Sequence, residues 1–330
     1  MTTPVPPWPP GYCPYVTPEQ LLTGQWPTGV AFGTIPDTSQ DTEATPPQQY
    51  AVLSMICRQA SVRADQIVNM PLRSVMTTEE LDGPDFRVTM QWSSGNGRFI
   101  ASRWPVTQVT NVQVAWNAGF PRQWTVLPSG SYEPEFPVDG LYGASVPSAG
   151  AGGQSILFAP GYMFWGGGWP GGQISGRYKF RVSATYLSGW PHTCLTTSAA
   201  AGATTIDVDD CTGWVITGTS GATIGAAGTI YDAMGGGQEA ITVTEASATS
   251  GPGTLTLASG LNYAHDSLIA VSAMPETVIW ATALLAGQAA LVRGATATTI
   301  QTTSGRAQST GTDPLVQEAR QLLSTFRRTI

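Results

Sequence analysis

The run TVIWATALLAGQAALV, residues 277–292, is the most apolar stretch of this 330-residue chain, and its surroundings decide the fold. A helix that crosses a membrane needs roughly 20 apolar residues. This run is shorter, contains Thr277, Thr282 and Gln288, and stops at Arg293. We therefore expect a helix that packs against protein, with its many alanines allowing close approach of a neighbouring helix.

This central helix is predicted to begin at Pro275 and Glu276 and to present one apolar face. Segments from both ends of the chain carry apolar residues at the same helical spacings and can pack on it. A shorter helix is predicted from Thr17, with Gln20 completing a capping box. The predicted apolar faces are Val278, Ala281, Leu285, Gln288 or Ala289, and Val292; Leu53, Ile56, Ala60, Ala64 and Ile67; and Leu315, Ala319, Leu322, Leu323 and Phe326.

Residues 86–186 change to a period of two, in runs such as RVTMQW, TNVQVAW and YKFRVSATY. Alternation of this kind, broken by Gly, Pro and Asn, is typical of antiparallel strands. The glycine-rich segment YMFWGGGWPGG (162–172) lacks the Gly-Lys-Ser/Thr ending of a phosphate loop, and we interpret it as a hairpin tip.

Residues 194–273 form a second predicted β region with an unusual charge. No Lys or Arg occurs between Arg181 and Arg293, and the seven acids of this region account for the net charge of −7. They are Asp207, Asp209, Asp210, Asp232, Glu239, Glu245 and Asp266. Such a region should be repelled by phosphate, so tight nucleic-acid binding by it is not expected.

These patterns together predict an α+β fold: a small helical bundle formed by N- and C-terminal segments, with an antiparallel β domain and an inserted all-β domain. The predicted parts are an extended Pro-rich arm (1–16), an N-terminal helical part (17–85), the antiparallel β domain (86–193), the inserted acidic β domain (194–273) and C-terminal helices that complete the bundle (274–330).

The N-terminal arm contains PVPPWPP, which favours an extended polyproline conformation. It is either a disordered tail or an arm that lies on a neighbouring subunit through Pro6, Trp8 and Pro9. The arm lacks the features of a signal peptide, so we expect a cytoplasmic origin and cysteines that remain thiols.

No pattern in the chain predicts catalysis, a metal or a cofactor. Neither His192 nor His265 accompanies a Gly-x-Ser-x-Gly motif, and with Cys194 and Cys211 they do not have the spacing of a zinc site. The acids at 207–210 lack the glycine and glutamate of a calcium loop. The 11 tryptophans leave a carbohydrate-binding protein as an alternative.

Several stretches resemble the head-to-tail adaptor (connector) proteins of long-tailed bacteriophages. These are YVTPEQLL, SRWPVTQVTNVQV, RVSATYLSGWPH and the terminal ARQLLSTFRR, with an Arg-x-Pro-Val-x-x-Val motif at 103–109 and Tyr-x-x-Gly-Trp at 186–190. The stretch from LTTSAAAGATTIDVDD to LNYAHDSLIAV is similar to a small β module found in several phage structural proteins.

The resemblance implies a non-enzymatic virion protein of the head-tail neck, assembled in the host cytoplasm. It implies a homo-oligomeric ring, usually twelvefold, between the portal protein and a stopper or tail-completion protein, with genomic DNA passing through the lumen without specific binding. It also places a portal-docking segment at the C-terminus, with candidates Leu322, Leu323, Phe326, Arg327 and Arg328. The alternative for these residues is that their helix merely completes the bundle.

Two other functions remain open from the sequence. One is a different virion component, such as a stopper, tail or baseplate subunit, since the β module also occurs in such proteins. The other is the carbohydrate-binding surface protein. Helices at both ends of the chain favour the adaptor, since a mainly β tail protein has no need of them.

Overall fold

The computed structural model describes residues 12–35, 47–82, 87–91, 96–115, 124–134, 155–158, 181–217, 223–232, 237–297 and 314–327. The chain divides into two compact units, the first formed by residues 1–72, 192–212 and 227–330 and the second by residues 73–191 and 213–226. The described residues contain four α-helices, and their strand ladders are antiparallel. The predicted α+β class is therefore confirmed.

The helices are α1 (Pro18–Leu22), α2 (Pro47–Val68), α3 (Glu276–Val292) and α4 (Pro314–Ser324). The strands are β1 (Val30–Ala31), β2 (Val75–Asp82), β3 (Val88–Gln91), β4 (Asn96–Ile100), β5 (Val106–Ala115), β6 (Thr125–Val126), β7 (Tyr132–Pro134), β8 (Ser155–Phe158), β9 (Arg181–Ser188), β10 (His192–Cys194), β11 (Thr205–Val208), β12 (Val215–Thr217), β13 (Thr223–Gly225), β14 (Ala227–Asp232), β15 (Gly237–Ala246), β16 (Gly253–Leu257), β17 (Ala270–Ser272) and β18 (Thr296–Ala297).

The apolar run that opened the sequence analysis forms α3, which packs against both α2 and α4 in the first unit. The prediction of a single apolar face is wrong in detail. Ile279 and Leu284 are buried as well as Val278 and Leu285, whereas Val292 is 75% exposed at the helix end. The helix is buried on more than one side because its alanines and Gly287 leave room for neighbouring segments: a Cβ at Gly287 would meet Val30 at 3.2 Å.

The other helices follow their sequence signals closely. Thr17 caps α1, and the Gln20 side chain accepts a hydrogen bond from the Thr17 N–H at 2.7 Å, which completes the predicted capping box. In α2 the predicted stripe is buried from Leu53 to Ala64, and Ile67 is half-buried. Among the described residues no helix has the length and hydropathy needed to cross a membrane.

The first unit also contains a six-stranded sheet in the order β10-β17-β14-β15-β16-β11. Its outer strands meet through a bridge between Leu195 and Val208. Two backbone hydrogen bonds of 3.0 Å, from the Asp209 N–H to the Cys194 carbonyl and from the Thr196 N–H to the Asp207 carbonyl, continue that pairing. The sheet thus curls until the end of β10 meets the end of β11, and we call this curled sheet the barrel.

Residues 13–15, here called the N-terminal clamp, connect this barrel to α2. His192 of β10 lies 2.9 Å from the Pro14 carbonyl through Nε2, and its ring meets the Tyr15 ring edge-on. The Tyr15 N–H donates to the Ser61 hydroxyl at 2.9 Å, and the Tyr15 hydroxyl donates to Asp65 at 2.7 Å. The clamp therefore holds a barrel strand and a helix to the same short piece of chain.

A disulfide between Cys13 and Cys194 reinforces the clamp, with Cα atoms 5.8 Å apart. The prediction that all the cysteines remain thiols is wrong for this pair, whereas Cys57 and Cys211 are free. The two bonded residues are separated by 181 positions. Only the folded arrangement brings them together, so their spacing along the chain carried no signal.

The second unit contains two four-stranded sheets, β2-β9-β5-β6 and β3-β4-β8-β7. Side chains from both sheets share one core, which includes Phe99, Val112, Ile156 and Tyr186. The period-two runs of the sequence correspond to these strands. Residues 213–226, which the sequence analysis assigned to the inserted domain, belong to this unit, and within them β12 pairs antiparallel with β13.

The two motifs that carried the resemblance meet at one end of β5 and β9. Val106 pairs with Ser188, and the Gly189 N–H donates to the Pro105 carbonyl at 2.9 Å. The rings of Trp104 and Trp190 contact each other with centroids 5.8 Å apart, and the Trp104-Pro105 peptide is cis. Segments distant in sequence therefore build a single corner of the sheet.

The disulfide gives a direct prediction about thiols and stability. Thiol titration of the denatured chain should detect two thiols before reduction and four after it, because only Cys57 and Cys211 are free. Reduction, or the double variant Cys13→Ser/Cys194→Ser, should lower the free energy of unfolding of the first unit by about 2–5 kcal/mol. The double variant should then be insensitive to reductant in thermal denaturation. Four titratable thiols in the unreduced chain would contradict the pairing.

Candidate functional site

Four of the predicted portal-docking residues are described, on α4 and in the turn that follows it, and their environments differ. Leu323 is fully buried with Ala319 in the helix packing, Leu322 and Phe326 are half-buried, and Arg327 is exposed. Leu323 thus belongs to the core of the first unit, and the exposed part of the predicted segment is narrower than the sequence indicated. Arg328 and the predicted arm residues Pro6, Trp8 and Pro9 lie outside the described residues.

A groove runs along α2 and continues between α2 and α4. Its first part has a volume of about 620 Å³ and its second part about 440 Å³, and Arg63 and Gln66 line both. Arginines stand along its whole length, so we call it the arginine groove. They are Arg58, Arg63, Arg320 and Arg327.

The electrostatics of the arginine groove are unbalanced. No carboxylate is among the described residues that line it, and none of its four arginines forms an ion pair within the described part of the chain. Arg58 instead lies over the Tyr12 ring, 5.6 Å from its centroid. Four cations gathered on one surface of a protein of net charge −7 repel one another, and a partner that supplies carboxylates relieves this repulsion.

Sequence reasoning identified only Arg327 among the groove arginines. Arg320 lies on α4, seven positions before Arg327, which follows the end of the helix, and this helical spacing could have been read as a pattern in the sequence. Arg58 and Arg63 are more than 250 residues away in the chain and join the groove only through the packing of α2 with α4.

The most concentrated polar cluster of the barrel is centred on His265, which is buried. Its Nδ1 lies 3.0 Å from Asp232 and its Nε2 lies 3.0 Å from Glu239. Asp232 and Glu239 thus hold the His265 ring through both of its nitrogens and fix its orientation.

Glu239 also organises the loop that precedes His265. Its carboxylate accepts hydrogen bonds from the Asn262 N–H at 2.6 Å, the Asn262 side chain at 2.8 Å and the Tyr263 N–H at 3.3 Å. Burial by itself raises the pKa of Glu239, but these bonds together with the one from His265 outweigh it and hold the pKa below its ordinary value. The carboxylate is thus a fixed anchor for residues 262–263.

Burial determines how many acids of the predicted acidic region, residues 194–273, reach the surface. Asp209, Asp232 and Glu239 are buried, whereas Asp207, Glu245 and Asp266 are exposed. The surface of the barrel is consequently less acidic than its composition suggests. Asp210 is a turn residue whose carboxylate accepts bonds from the Thr212 and Gly251 N–H groups, both at 3.0 Å.

The residues considered for metal or catalytic chemistry have separate structural partners. Cys194 is in the disulfide, and His192 is held by Pro14 and Ser272. Within the described ranges no group of three or more His, Cys, Asp or Glu side chains has a geometry that could hold a metal ion. The glycine-rich segment 162–172 lies outside those ranges.

Comparison with known proteins adds no relative. No family model, curated protein or solved structure matches the chain.

The Glu239 anchor predicts an acid-dependent loss of stability. Because the pKa of Glu239 is lower in the folded than in the unfolded chain, its contribution is complete above the ordinary value of 4.5 and is lost as the pH falls through the folded value. Glu239→Gln should remove this acid-dependent part, as measured by denaturant unfolding at a series of pH values. The matched control is Glu245→Gln on the same strand, which should keep the wild-type profile since Glu245 is exposed.

Buried Leu323 on α4 and exposed Arg327 just after it predict stability effects of very different size. Leu323→Ala should lower the free energy of unfolding by about 2–5 kcal/mol, because it opens a cavity at a fully buried position. Arg327→Ala should change it by no more than about 0.5 kcal/mol, since the side chain is exposed. Equal effects of the two variants in denaturant titrations would show that α4 does not pack as described.

Proposed function

We propose that this protein is a structural component of a bacteriophage virion, a head-to-tail adaptor whose identical copies form a ring between the portal and the stopper or tail. In this proposal genomic DNA passes through the lumen of the ring, and the protein performs no catalysis. The helices pack together as the core of the subunit, and the barrel is a module inserted before α3.

The observation that carries the proposal is the packing of helices from both ends of the chain on one another. Helix α2 contacts α3 and α4, and α3 contacts α4, although more than 200 residues separate α2 from the other two. Proteins of the tail or baseplate built mainly from sheets have no use for such a core, so this arrangement supports an adaptor over the other virion components.

Two further features support the proposal. The motifs at 103–109 and 186–190, which carry the resemblance, lie side by side at the start of β5 and the end of β9. The turn after α4 exposes Arg327, and both Leu322 on α4 and Phe326 in that turn are half-buried. Arginine with apolar neighbours is a combination typical of protein interfaces, which suits a docking segment.

The portal-docking role predicts a selective loss of binding. With portal rings from the genome that encodes this chain, the double variant Leu322→Ser/Phe326→Ser should bind at least about tenfold more weakly, because its exposed apolar surface is reduced. Co-sedimentation and electron microscopy of the complexes measure this loss, and thermal denaturation checks that the variant is folded.

Gln317→Ser on the exposed side of α4 is the matched control and should bind portal like the wild type. Truncation after Gly311 should abolish binding. A wild-type chain that ignores portal rings at all concentrations would overturn the proposed function, and a double variant that binds normally would remove the docking role from α4.

A further inference from the structure

The arginine groove has an apolar component beside its charge. Met55 is 43% exposed and Val62 is 45% exposed, and both line the part of the groove that follows α2. They are seven residues apart, so they lie two turns apart on one face of the helix. A partner must therefore supply apolar surface as well as carboxylates.

This combination favours a protein partner over a nucleic acid. A phosphate backbone would pair with the arginines but would leave Met55 and Val62 exposed to water, and no lysine is among the described residues that line the groove. Arg, Met and aromatic residues are enriched at protein interfaces, and arginine forms strong paired hydrogen bonds with carboxylates.

The chain itself displays such a counterpart on the barrel. In the loop of residues 262–266, Tyr263 is 49% exposed and Asp266 is also exposed. The Glu239 carboxylate fixes the start of this loop through the N–H groups of Asn262 and Tyr263, and buried His265 fixes its end. A loop already held in place loses little conformational entropy on binding.

We propose that the arginine groove of one subunit receives the 262–266 loop of a second copy of this chain. Tyr263 lies against Met55 and Val62, and Asp266 pairs with the groove arginines, among which Arg63 is central because it lines both parts of the groove. Neither loop residue lines the groove of its own chain. The inference deepens the proposed function, since it names the contact that joins the copies of the ring.

The contact joins two different surfaces, and this gives it a distinctive signature. A head-to-tail contact can repeat from copy to copy until a ring closes.

A groove variant, Arg63→Ser/Arg320→Ser, keeps an intact loop, and a loop variant, Tyr263→Ser/Asp266→Ser, keeps an intact groove. Each alone should self-associate at least about tenfold more weakly than the wild type. An equimolar mixture should form dimers and nothing larger, because only one intact contact is possible per pair.

Light scattering after gel filtration of the full-length chain, over a range of concentrations and salt, measures these masses. Glu245→Ser, an exposed acid elsewhere on the barrel, is the matched control and should assemble like the wild type. Thermal denaturation identifies any misfolded variant. If the groove variant does not fold, Arg58→Ser replaces it, and if the loop variant does not fold, Asp266→Asn replaces it.

The outcomes separate this inference from the proposed function. Folded variants that assemble like the wild type, a mixture that forms no dimer, or a wild type that stays monomeric at every concentration would each overturn the contact. Groove variants that assemble normally but lose portal binding would show that the groove binds the portal, and this result would also overturn the contact between copies. Self-association through the groove without any portal binding would support the contact and overturn the adaptor function.

Discussion

The first unit depends on keeping α3 out of water. Its side chains are apolar or small on most sides, and exposing them would cost roughly 25 cal/mol for each Å² of apolar surface. Both α2 and α4 pack against it, and in doing so they come into contact with each other. The arginine groove is a consequence of this packing, since the outer faces of two helices that share a buried neighbour meet along a seam.

Much of this architecture could be predicted because local patterns determine it. The capping box at Thr17, the stripe of α2 and the alternating strands are all readable within a few residues of sequence. What could not be predicted depends on segments that meet only in the folded chain. The pairing of Cys13 with Cys194 is one case, and the gathering of Arg58 and Arg63 with the arginines of α4 is another. Burial of α3 on several sides also depends on its neighbours, which its own periodicity does not reveal.

The acidic and basic residues of this protein differ in burial as well as in their positions along the sequence. The barrel turns part of its acidity inward, where Asp232 and Glu239 hold His265 and fix the adjacent loop. The described lining of the arginine groove, by contrast, contains arginines and no carboxylate. Buried hydrogen-bonded polar groups define one local structure, and here that structure is the loop that carries Tyr263 and Asp266.

The contact between the ends of β10 and β11 has a consequence for how the barrel meets other molecules. Unpaired strand edges invite pairing with other chains, which leads to aggregation. The hydrogen bonds between residues 194–196 and 207–209 occupy part of the edges that β10 and β11 would otherwise present. Strand exchange at this seam is therefore disfavoured, and contact with this part of the barrel is left to side chains.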